Sequence, residues 1–154
     1  MIRIFGGKTI DRMGKGNHMI RQIVKDTFFL SQKSEDAGKE DLYIADDLTD
    51  TLQANKDRCV GMAANMIGQR KKIIVVDMGL FALIMINPEI ISKSGPYETE
   101  EGCLSLTGVR PVTRYQKIKV VWLDRNFQKQ TQEFAGRSAQ IIQHEIDHFS
   151  GRLI

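Results

Sequence analysis

The stretch IIQHEIDH, residues 141–148, decides how the rest of the chain is read. It holds two of the protein's three histidines, His144 and His148, four positions apart, with Glu145 beside the first. From about Gly136 onward Ala139, Ile142, Ile146 and Phe149 recur at helical spacing, and Gly151 is placed to end the helix. On such a helix, residues i and i+4 project from one face about one turn apart, so two imidazole nitrogens can grip one ion. Glu145 is rotated by about 100 degrees from His144. That puts its carboxylate near the ion without making it a ligand, where it can take a proton from an activated water. The pattern is HExxH. Histidines that merely cap or hydrogen-bond would spell the same letters. Here the apolar positions pack the helix against the domain and hold the imidazoles at a protected face.

Two imidazoles leave a third ligand to find, and a catalytic site keeps a further position open. His18, Cys59, Cys103 and the carboxylates are the choices. His18, in GKGNHMI, reads as a surface or capping residue. Cys103 stands in ETEEGCLSL, a short strand-like run behind Gly102, where the backbone can approach closely. Two cysteines are too few for a disulfide framework, although a single bridge stays open, and a reducing compartment would keep both as thiols.

The length of 154 residues suits one domain, 1–154, with a core that needs no staples. An apolar fraction of 42% against 27% charged describes a globular chain, and no apolar run approaches the roughly 20 residues of a membrane span. The N-terminal MIRIFGGKTIDR lacks the apolar core of a secretory signal, so the expected location is cytoplasmic. A net charge of +3 is too mild to argue for nucleic acid, and the cluster QRKK at 69–72 reads as a solvated turn. No membrane and no specific nucleic-acid partner is expected.

Residues 31–41, SQKSEDAGKED, read as a surface loop between two helical patterns. In the second, Leu42, Ala45, Leu48 and Leu52 predict an amphipathic helix over 42–56 with Asp41 as its N-cap. Runs rich in Ile and Val at 72–78, 82–87 and 89–92, punctuated by Gly79 and Pro88, predict buried strands. Residues 117–124 and 128–134 flank Arg125-Asn126-Phe127 and predict an antiparallel hairpin, with Trp122 in the core. Strands gathered in the middle and helices at the two ends define an α+β class, with mixed or antiparallel strands packed around the C-terminal HExxH helix.

EGCLS at 101–105 and QHEIDH at 143–148 resemble the second and third motifs of the peptide deformylases, and VGMAA at 60–64 matches part of their first. The resemblance runs in the family's order and spacing from about Leu42 to Leu153. It implies a peptide-deformylase-like fold and hydrolytic removal of the formyl group from the N-terminal formyl-methionine of nascent bacterial proteins. By the same resemblance Cys103, His144 and His148 hold one divalent metal, Fe(II) natively with Zn, Ni or Co in its place, and Glu145 is the general acid and base. One thiolate leaves a dication with a net charge of about +1, and a Cys with two His suits Zn or Fe(II). The backbone N–H of Leu104 would meet the developing oxyanion, Gly61, Met66 and Arg110 would face the substrate, and a Glu101–Arg114 ion pair would steady the Cys103 loop. The implied partners are N-formylmethionyl peptides and the ribosome near its exit tunnel.

The family's first motif reads G-x-G-x-A-A-x-Q, whereas this chain has CVGMAANM at 59–66. Cys59 replaces the first glycine and is expected to be a small buried side chain rather than a second ligand. Met66 replaces the glutamine that donates to the oxyanion, and a thioether cannot donate. Loss of one such donor costs about 100-fold to 1000-fold in kcat, so turnover slow by family standards is expected. Asn65, in a segment read as extended, should face away from the site, and Gln69 would need a looped backbone to reach it. The sequence runs to Ile154, six residues past His148, where many family members continue, so the implied ribosome contact would have to be made without the part of it that the further segment supplies. Two other readings stand beside the enzyme. One is a metal-holding module with weakened turnover that binds formyl-peptides or a partner; the other is an HExxH peptidase, against which a cysteine ligand argues.

Overall fold

The computed structural model describes residues 19–154. His18 and the N-terminal stretch MIRIFGGKTIDR lie outside the described residues. Within them, five strands form one antiparallel sheet in chain order: β1 (Gly61–Ala63), β2 (Ile73–Asp77), β3 (Ala82–Gly102), β4 (Val109–Leu123) and β5 (Lys129–Ala135). Three helices accompany it, α1 (Thr27–Leu30), α2 (Leu42–Ala54) and α3 (Gly136–Asp147).

Strand β2 explains the layering. Ile73, Ile74, Val75 and Val76 are all fully buried, as an unbroken apolar run must be if both faces of its sheet are covered. Successive side chains of a strand point to opposite faces. Ile73 and Val75 therefore join Ile44, Leu48 and Leu52 of α2, while Ile74 and Val76 join Ala139 and Ile142 of α3. The sheet lies between the two helices. Trp122, predicted as core, packs on this second side, its ring 5.8 Å from that of Phe134.

Helix α2 ends at Ala54, two residues before the expected boundary, and Asn55 returns its side-chain amide to the Thr51 carbonyl. Asp41 stands at its N-cap position without bonding the first turn. Its carboxylate instead accepts from the Gly38 N–H at 2.9 Å and closes a 3-10 turn over Lys39–Asp41. The earlier helical pattern amounts to the single turn α1, whose free N–H groups are met by Asp26. Both lysines of the QRKK cluster have acidic neighbours, Lys71 near Glu35 and Asp41 and Lys72 near Asp36.

The two short strands expected at 82–87 and 89–92 are one strand of 21 residues. Pro88 does not end it. The ladder slips between Ile86 and Glu89, where a residue without an N–H costs no bond, and Asn87 takes φ 50 while its side-chain amide ties the backbone of Ala37. Beyond Ile91 the strand is mostly exposed and pairs with residues 109–119 of β4. No apolar alternation marks that half, and Gly95-Pro96 reads as a breaker, which is why pattern reading stops short. In β4, Val112 and Arg114 alternate inward at period two, so the strand delivers an arginine to a position where a hydrophobe would be expected.

The hairpin is as expected, pairing Lys117 with Ala135 through to Leu123 with Lys129. Asp124 organises its turn: its carboxylate accepts from the N–H groups of Asn126 and Gln128 and from the Gln130 amide, and Phe127 takes φ 59. Past α3 the chain tightens into a 3-10 turn over His148–Ser150 and leaves at Gly151 with φ 76, where a Cβ would collide with the Ser31 carbonyl. The donors around Asp124, first the Gln128 N–H, hold its carboxyl below the ordinary 3.8. A carboxyl held low in the folded state adds stability above its unfolded pKa and loses it as pH falls below that value. Urea midpoints should therefore fall less steeply as pH drops below about 4 in Asp124→Asn than in the parent protein.

Candidate metal centre

Helix α3 passes into its closing 3-10 turn without leaving helical dihedrals, His148 having φ −61 and ψ −25. The i, i+4 relation of the histidines therefore survives, and their rings meet edge to face at 5.1 Å between centroids. Cys103 comes from the opposite direction, at the end of β3, where the Leu106 N–H closes a turn on its carbonyl at 3.0 Å. Its Sγ lies 3.6 Å from His148 Nε2. Donor atoms of Cys103, His144 and His148 all fall within 4.8 Å of one another.

Glu101, two residues before the cysteine, is the point where the surrounding elements meet. Its Oε1 accepts from His144 Nδ1 at 2.8 Å and from Arg114 Nη2 at 2.7 Å, and its Oε2 from Gln140 Nε2 at 2.8 Å and from Arg114 Nε at 3.0 Å. Arg114 sends its remaining Nη1 to Asp147 at 2.6 Å. Burial alone would raise the Glu101 carboxyl, but the His144, Arg114 and Gln140 donors outweigh it and hold it down at about 2. An ionised acceptor fixes the ring: His144 donates from Nδ1, so Nε2 is the nitrogen that would turn to an ion once it gives up its own proton.

Burial, aided by the nearby His144 and Arg114 charges, brings His148 down to about 3, so it is neutral at working pH. For His144 burial works against charging, yet hydrogen bonds to Cys103 and Glu101 and the Glu145 charge prevail and push it up to about 10. A cation taken up here must displace that proton. Glu145 is raised to about 7, chiefly by burial, with Glu101 adding and His144 opposing. Its Oε2 is buried and has no hydrogen-bond donor among the described residues. A buried carboxylate oxygen left unpaired is costly. A water or a cation would meet it, which fits the donor set beside it.

A cavity of about 250 Å³ opens onto these groups, and Gly61, Leu104 and Met66 line it. Gly61 is there because nothing larger fits: a Cβ would stand 2.6 Å from Ile141 Cγ2 and 3.1 Å from Glu145 Cγ. Arg110, expected to face the substrate, does not line the cavity and instead turns back to the Thr107 carbonyl. Residues 64–67 are a 3-10 turn rather than the extended segment expected. Asn65 is nonetheless turned from the cavity, donating to the His148 carbonyl at 3.3 Å, and Gln69 does not reach it. Met66 is fully buried, with its sulfur 3.5 Å from the Ala63 N–H as an acceptor. Cys59 lines the cavity but stands outside the Cys103, His144 and His148 cluster; its thiol donates to the Gly61 carbonyl, and burial pushes it up to about 12. Both cysteines are free, so the bridge left open by the sequence is not formed.

Gln140 and Asp147 were not singled out in the sequence. Gln140 is one turn before His144 on the same helix face, and that spacing is the signal that could have marked it. Asp147 carries no comparable signal, because its partner Arg114 lies on a distant strand.

An antiparallel sheet laid against a helix that brings two imidazoles to a strand-end thiol describes an α+β domain of the metallohydrolase kind. The family model for polypeptide deformylase matches residues 19–154. A peptide deformylase of Clostridium beijerinckii is 58% identical over 136 residues, covering 88% of this chain and 100% of that protein. Peptide deformylase 3 of Shewanella oneidensis is 41% identical over 115 residues, 70% of this chain and 68% of that one. Among solved structures, the peptide deformylase from Thermotoga maritima superposes with a TM-score of 0.80 at 28% identity, covering 88% of this chain and 95% of that one. The one from Legionella pneumophila gives 0.78 at 34%, covering 87% and 83%. The chain belongs to the polypeptide deformylase family.

Because Glu101 sets the His144 tautomer, Glu101→Gln should weaken metal retention about 10-fold to 100-fold in competition with a chelator, with the fold retained by circular dichroism.

Proposed function

We propose that this chain is a working metal-dependent deformylase that hydrolyses the formyl group from N-formylmethionyl peptides. The observation that carries the reading is the convergence of one sulfur and two imidazoles within 4.8 Å, beside the unpaired oxygen of Glu145. Cys103, His144 and His148 are the residues that would hold the ion, and Zn or Fe(II) suits this donor set, with Ni and Co as other occupants. Bound there, a divalent cation supplies Lewis acidity and brings the pKa of water toward about 7.

Glu145 takes the proton of the water that attacks the formyl carbon and delivers it to the departing amine. A carboxyl raised by burial is suited to both transfers. The Leu104 N–H, in the turn after Cys103, is the donor proposed for the developing oxyanion. Val60, Ile141 and Met66 give the cavity apolar wall for a methionine side chain. Gly61 lets β1 approach α3 closely enough to set that wall beside Glu145. Among the described residues no helix is long and apolar enough to cross a membrane. Cytoplasmic action on nascent chains leaving the ribosome is part of the same proposal and rests on the bacterial relatives.

The test is formate release from a formyl-Met peptide by protein loaded with Fe(II) under anaerobic conditions. A chelator should abolish release and refilling should restore it; a loaded protein that releases none overturns the reading. Glu145→Gln should lower kcat by about 100-fold to 10,000-fold while metal analysis still finds the ion. Met66→Gln adds the missing donor and should raise kcat, with about 1000-fold as the upper bound. An unchanged kcat in that variant would show that another group already serves the oxyanion.

A further inference from the structure

Arg137, Ile141 and Glu145 stand at i, i+4 and i+8 on α3 and therefore share one helix face. All three line the cavity that reaches Cys103 and His144. Eight residues of helix place Arg137 about 12 Å along the axis from Glu145. Its side chain is exposed, and among the described residues no hydrogen bond or ion pair holds its guanidinium. Arg58, 3.9 Å from Asp57, lines the same cavity. The two carboxylates of the cavity wall, Glu101 and Glu145, are both buried, and the first is already taken up by Arg114, Gln140 and His144. The cavity thus carries its chemistry at one end and a positive charge without a carboxylate partner two helical turns away.

An extended peptide advances about 3.3 Å per residue. Three or four residues therefore span the distance from a formyl group at Glu145 to Arg137, and a flexible arginine shortens the reach needed. A guanidinium takes a carboxylate through two parallel N–H donors. We infer that this site favours formyl-methionyl peptides bearing an acidic side chain at the second, third or fourth residue, and that Arg137 reads that charge. The inference rests on the deformylase reading of the same site. The other role open to Arg137, covering apolar wall with its methylene stem, is blind to substrate charge.

The test is kcat/KM at low salt for formyl-Met tetrapeptides carrying Glu, Gln or Lys in turn at positions two, three and four. The expected order at one or more positions is Glu above Gln above Lys, with Glu over Gln by about twofold to fivefold, the size of an exposed ion pair. The order should shrink at about 1 M salt, where the Debye length is about 3 Å. Arg137→Gln should remove it and Arg137→Glu should reverse it; both change an exposed position, so folding is not at stake. Equal rates for the three peptides at every position, or an order that Arg137→Glu leaves intact, overturns the inference while the deformylase reading stands. No formate from any peptide, the neutral ones included, brings down both.

Discussion

The structure of the site depends on one carboxylate. Glu101 gathers His144 and Gln140 from the last helix and Arg114 from the fourth strand around its two oxygens, and it stands two residues before Cys103, which completes the cluster with His144 and His148. Taking Glu101 and Arg114 out of water is expensive, and such pairs often add little net stability. Here every guanidinium nitrogen has an acceptor, with Asp147 taking the last. The return is geometric: strand end, helix and imidazole tautomer are set by the same charge.

The sheet serves that arrangement from two sides. Burying β2 on both faces clamps it between α2 and α3, and β1, hydrogen-bonded along its edge, is pressed onto α3 at Gly61. Helix α3, which carries both histidines, is thus positioned by core packing on one flank and by a side-chain-free approach on the other. The long β3 reaches out of this core with a bulge at Asn87-Pro88 and brings Cys103 to the histidines at its far end.

The departure at Met66 takes its meaning in this setting. The thioether occupies a buried place in the cavity wall and contacts its own turn as an acceptor. Neighbouring amides do not take over a donor role: Asn65 is committed to the His148 carbonyl, and Gln69 lies off the cavity. The wall there is more apolar and poorer in donors than the first-motif pattern G-x-G-x-A-A-x-Q, while the Cys103, His144 and His148 cluster stands beside it with Glu145.

Local spacing by itself determined the HExxH helix, the Asp124 hairpin, the buried β2 and the α+β class, because helical and strand periods are written residue by residue. Motif letters likewise marked Cys103, and the thioether at Met66 could be judged from its chemistry alone. Tertiary structure decided the remainder. The outer half of β3 is polar and carries Gly95-Pro96, so only pairing with β4 makes it a strand. Arg110 and Arg114 are both arginines of β4, yet one turns back to its own loop and the other is buried against Glu101. Which of two like side chains becomes a strut depends on strand register and on partners far away in sequence, and no period in the chain encodes that.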